Sequence, residues 1–84
     1  QEGALIDIKL KCQNIAVEDV LDNIPNARII QTNDDFAIIK VKVFREGFLR
    51  WVLGEGETVE IIEPLYLREE AKGKLLRVLS TYNK

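Results

Sequence analysis

Leu5-Ile6-Asp7-Ile8-Lys9-Leu10-Lys11-Cys12 alternates without a break, Ile6, Ile8, Leu10 and Cys12 on one face and Asp7, Lys9 and Lys11 on the other. Successive side chains of extended backbone point to opposite sides, so this pattern is that of a strand with one buried and one open face. A second stretch, Phe36 to Phe44, sets Ile39, Val41 and Val43 against Ile38, Lys40, Lys42 and Phe44. Both strands thus have an apolar face and a mixed, lysine-bearing face, and the fold follows from how the remaining segments let them pair.

Between them, Asn14 and Ile15 lead to Val17, Val20, Leu21 and Ile24, which recur at spacings of three and four until Pro25 and Asn26 end the helix. Ala27 to Gln31 reads as a strand, and the polar cluster Thr32-Asn33-Asp34-Asp35 turns it into the Phe36 strand as a hairpin. Downstream, Phe48, Leu49, Val52 and Leu53 mark a second helix over Glu46 to Leu53, stopped by Gly54 and Gly56. Val59 to Ile62 is a short strand closed by Pro64, and Leu67 to Tyr82 carries apolar residues at helical spacing, with Gly73 a mild weakness. The order β-α-β-β-α-β plus a terminal helix predicts an α+β fold: a ferredoxin-like sandwich with an additional C-terminal helix. Right-handed crossovers place the first and third strands side by side at the sheet centre, with the first two helices over Ile6, Ile8, Leu10, Val41 and Val43.

Composition bounds the function. At 84 residues the chain is read as a single domain, 1–84, with hydrophobic residues at 46% and charged ones at 31%, ordinary values for a folded domain. One cysteine and no histidine exclude an internal disulfide, a Cys/His zinc site and the commonest general base. Neither a catalytic residue nor a cofactor or metal site is expected. Twelve basic and 14 acidic residues, interspersed, argue against autonomous duplex binding. No apolar run reaches membrane-span length, and Gln1, Glu2 and Gly3 lack the features of a leader, so the expected location is the cytoplasm. The absence of methionine leads to the expectation that the chain is a fragment of a longer polypeptide.

Phe48-Leu49-Arg50-Trp51-Val52-Leu53-Gly54-Glu55-Gly56, then Val59-Glu60-Ile61-Ile62-Glu63-Pro64, then Leu67-Arg68-Glu69-Glu70, resembles the C-terminal extension of WYL regulators, often called the WCX domain. The motifs cover about Phe48 to Tyr82; residues 1–47 agree in their strand-helix-strand-strand pattern alone. The resemblance implies a bacterial transcription regulator with an N-terminal winged-helix DNA reader, a central effector-binding WYL domain and this domain at the C-terminal end. It implies dimer contacts or a part in effector binding, with DNA reached only through the parent's N-terminal domain. The tripeptide that names the central domain is absent, and Leu65-Tyr66-Leu67 is not a version of it.

Each candidate residue has a structural and a functional reading. Glu63-Pro64 is read first as a strand stop, because proline has no amide to donate. Trp51, on the Phe48-Trp51-Val52 stripe, is core or an interface anchor. Arg50 and Arg68 could grip an anion, but ion pairs with Glu69 or Glu70 are the simpler expectation. Lys9, Lys11, Lys40 and Lys42 share the open face of two adjacent strands, with Asp7 the one carboxylate the pattern places near them. They are read as a solvated face or as a dock for an acidic protein or effector phosphate. Aromatics do not occupy those positions, so RNA stacking of the usual kind is not supported. Gly54-Glu55-Gly56 follows a helix and is no phosphate cradle, and Asp34-Asp35 is turn chemistry.

The leading expectation is therefore a regulatory module without enzyme activity, cleft-poor, pairing with itself as a homodimer or with the parent's WYL domain, with an anionic effector as a further partner. The rival from another class is an ACT-like amino-acid sensor of the same strand-helix order. A small hydrolase of this fold would need a base and an oxyanion site that the sequence does not supply.

Overall fold

The computed structural model describes residues 3–84, so the reading of Gln1 and Glu2 lies outside the described residues. Strand β1 (Leu5–Gln13) leads into helix α1 (Asn14–Asn23), followed by β2 (Arg28–Thr32), β3 (Phe36–Phe44), α2 (Arg45–Gly54), β4 (Val59–Glu63) and α3 (Leu65–Tyr82). The four strands form one antiparallel sheet in the order β2-β3-β1-β4. The expected central pair is present, with Ile6 opposite Val43, Ile8 opposite Val41, Leu10 opposite Ile39 and Cys12 opposite Ala37. The fold class is the expected α+β arrangement with its extra helix.

The core lies between that face and the helices. Ile8, Leu10, Cys12, Ile39 and Val41 pack in one cluster with Ala16 and Val20 of α1, Phe48, Leu49 and Val52 of α2, and Leu67 and Ala71 of α3. Burying such aliphatic side chains is worth about 1.5–3 kcal/mol each, which is why the alternation read from sequence fixes which face is roofed. Ile6 and Val43 sit at its margin, half-buried.

Local chemistry sets the boundaries. Helix α1 ends where Ile24, held extended (φ −125°, ψ 100°), precedes Pro25, whose ring disfavours helical backbone in the residue before it. In the β2–β3 turn the Asn33 side-chain oxygen accepts the Asp35 and Phe36 amides at 2.7 and 3.0 Å. Helix α2 stops because Gly56 takes a left-handed φ of 64°, which turns the chain through a short 3-10 segment (Gly56–Thr58) into β4. Helix α3 begins at Leu65, two residues before the spacing predicted, because Leu65 and Tyr66 form an exposed first turn that carries no periodic signal. Two arginines fix that end. Arg45 at the start of α2 grips Glu70, its Nε donating at 3.2 Å, and Arg68 donates to the Ile61 carbonyl at 2.9 Å and to Glu60.

Candidate interaction surfaces

The first surface is the open face of the sheet. Strand pairing sets Arg28, Lys40 and Lys9 directly opposite one another across β2, β3 and β1, with Glu63 next on β4. Adjacent rows hold Lys42 opposite Asp7, and Lys11 between Ile38 and Glu60. The four lysines do share one face, but the expectation that Asp7 is the one nearby carboxylate is overturned: β4 pairs with β1 and brings up Glu60 and Glu63. Lys9 Nζ lies 3.7 Å from Glu63 and Lys42 Nζ 3.7 Å from Asp7. Lys11 Nζ instead stands 4.4 Å above the centre of the Phe36 ring, and beside it Ile38 is buried although it faces the lysines.

Among the described residues, neither Arg28 nor Lys40 has a carboxylate within ion-pair distance. With Lys42, Asp7 and Asn26 they line a shallow depression of about 300 Å³. Asn26 is held there by a reciprocal pair of hydrogen bonds, donating to the Lys42 carbonyl at 2.8 Å and accepting its amide at 3.0 Å. Arg28 and Asn26 had no periodic signal of their own; only the register of β2 against β3 places them beside the lysines.

The other sequence candidates do not join this face. Trp51 is half-buried on α2, its ring 5.7 Å from that of Phe48, and belongs to the margin of the core. Arg50 is exposed on the same helix. The expected pairing of Arg68 with Glu69 or Glu70 is corrected: Arg68 reaches back to Glu60 on β4, while Glu70 belongs to Arg45. Helix side chains one or two positions apart do not face one another, and no local spacing points to partners across the fold.

The second surface is α3. Leu67 and Ala71 are 0% and 9% exposed, whereas Leu75, Leu76, Leu79 and Tyr82, further along the same apolar stripe, are 52%, 58%, 55% and 82% exposed. The helix has 18 residues, about 27 Å at 1.5 Å per residue, and the large apolar side chains of its second half are left about half exposed or more. Between it and the body lies an open groove of about 660 Å³, walled by Val52 and Leu53 of α2, Val59 and Ile61 of β4, and Leu75 and Leu79 of α3. The expected cleft-poor body is therefore corrected: it has an apolar groove, left because the core is too small to reach the end of the helix.

Burial, assisted by the Glu55 carboxylate, pushes the Cys12 thiol up to about 11, and the side chain is fully enclosed in the core. Glu55 is itself raised, by desolvation first and then by its contact with Asp19 across α1 and α2. Among the described residues no three His, Cys, Asp or Glu side chains gather as a metal site, and no helix is long and apolar enough to cross a membrane.

Fold and surfaces together define a small α+β domain: a roofed sheet with a basic open face and a terminal helix whose second half is apolar and exposed. The family model of the WCX domain matches residues 4–79, and the chain belongs to that family, whose domains are C-terminal modules of WYL-type regulators. No curated protein and no solved structure matches it.

Proposed function

We propose that this chain is the C-terminal regulatory module of a bacterial WYL-type transcription regulator, and that it works by contact rather than by catalysis. Through α3 it meets another subunit or the parent's WYL domain, so that effector binding changes how the DNA-reading domains are placed. The differential contact would bias one arrangement over another, which is what population shift requires. The observation that carries this reading is the uncovered apolar half of α3 on a domain whose core is otherwise closed. Large apolar side chains in one contiguous strip mark contact surfaces.

Reading the gene upstream of Gln1 tests it. A winged-helix pattern followed by a WYL segment is expected; a metabolic enzyme there would move the assignment to the ACT-like sensor. A thermal scan of the chain with free amino acids is expected to show no stabilisation, whereas a rise in melting temperature would favour the sensor.

A further inference from the structure

Strand pairing leaves charge unmatched at one place on the open sheet face. Arg28 on β2 stands directly opposite Lys40 on β3, which stands directly opposite Lys9 on β1. Lys9 has Glu63 and Lys42 has Asp7, each at 3.7 Å, whereas Arg28 and Lys40 have no carboxylate within ion-pair distance among the described residues. Like charges opposed across strands destabilise a sheet, and an anion set between them turns the repulsion into attraction.

The depression that these side chains line adds shape and a held donor. At about 300 Å³ it lies at the lower end of small-molecule sites, with room for one compact group. Its wall includes Asn26, fixed in both directions by the Lys42 backbone. A side-chain amide has two N–H groups, and the second one of Asn26 has no partner among the described residues. Arg28 offers a planar fork of donors that matches two oxygens of one oxyanion, and Lys40 offers a point charge.

Charge decides which oxyanion. A carboxylate or a phosphodiester carries a single negative charge, but a phosphomonoester carries about −1.5 to −2 at pH 7, the amount that Arg28 and Lys40 leave unmatched. A chain of phosphodiesters would extend over the neighbouring strands, where Asp7 on β1 and Glu60 and Glu63 on β4 repel it. We propose that the depression between β2 and β3 binds the phosphate group of a small phosphomonoester. Arg28 and Lys40 neutralise the phosphate, Asn26 donates to it and Lys42 completes the positive wall. The site shares no residue with α3 or its groove, so it goes beyond the contact reading and stands or falls without it.

Amide NMR of an isotope-labelled chain tests it, in a titration with inorganic phosphate at about pH 8, above the second ionisation of a phosphate group, and a parallel titration with chloride at matched ionic strength. Saturable shifts are expected in residues 26–28 and 40–42 and in the Asn26 side-chain amide with phosphate, and none that saturate with chloride. Arg28→Gln and Lys40→Gln are each expected to weaken binding about tenfold, the loss of one charge-assisted contact, and Lys74→Gln on α3 to leave it unchanged. All three side chains are exposed, so the fold does not depend on them. Equal shifts with chloride, or unchanged affinity in both site variants, overturn the inference. So does tighter binding of a short single-stranded oligonucleotide than of phosphate at equal phosphate-group concentration, which would make the lysine face a surface for polyanions instead.

Discussion

At single positions, backbone conformation and burial lead to sharply different outcomes for changes of similar size. Gly56 holds φ at 64° with nothing within 4 Å of where a Cβ would stand, so the cost of a side chain there is conformational alone. Gly56→Ala is expected to destabilise the chain by about 1–2 kcal/mol, the penalty of left-handed backbone for an L-residue. Gly47, inside α2 with the same open surroundings, is the reverse case, and Gly47→Ala is expected to stabilise by about 0.5–1 kcal/mol. Urea unfolding of both variants checks the pair; equal shifts would remove the conformational explanation.

Cys12 gives a pH dependence of defined sign. Its folded pKa, about 11, lies above the ordinary thiol value, so the folded chain keeps a proton that the unfolded chain loses first. The contribution of the neutral thiol is complete below about pH 8.5 and is withdrawn as pH rises towards the folded value. Lysines titrate in the same window, so the measurement is a difference: the urea midpoint of the native chain minus that of Cys12→Ala should fall with pH across it. A difference that stays flat would show that the thiol is not held in its neutral form.

Among the elements, the sheet was largely legible and its edges were not. The alternation in residues 5–12 and 36–44 located both central strands and the buried face, since one-sided burial forces a period of two. Strand β2 is exposed at all five positions, and the sequence placed it one residue early, at Ala27 rather than Arg28. An edge strand with no buried face carries weak periodicity, and the partners of Lys9 and Arg68 on β4 depend on a cross-strand register that no local spacing encodes. Yet that register makes the next prediction. Lys40 sits between Arg28 and Lys9, each directly opposite it, and like charges so placed destabilise a sheet. Lys40→Glu is expected to raise stability by about 0.2–1 kcal/mol in low salt and by less in high salt. Should thermal unfolding instead show a lower midpoint at every salt concentration, the three cations do not interact as their register implies.

For the molecule as a whole, the radius of gyration is 13.1 Å, where a compact chain of this length has about 12 Å, and the protruding half of α3 accounts for the direction of the difference. Stability should be distributed accordingly. Amides of β1 and β3 are locked under the full core, and the first turns of α3 are held by Leu67, Ala71 and the Arg45–Glu70 and Arg68–Glu60 pairs. Beyond Ala71 the large apolar side chains of the helix are about half exposed or more, and helices shorter than about 12–15 residues are marginal in water without packing. In a dilute monomer, hydrogen exchange over residues 75–82 is therefore expected to run close to that of an unfolded peptide, while β1 and β3 exchange only through global opening. Uniform protection along α3 would mean that the helix is stable unaided, and its apolar strip would lose its claim to be a contact surface.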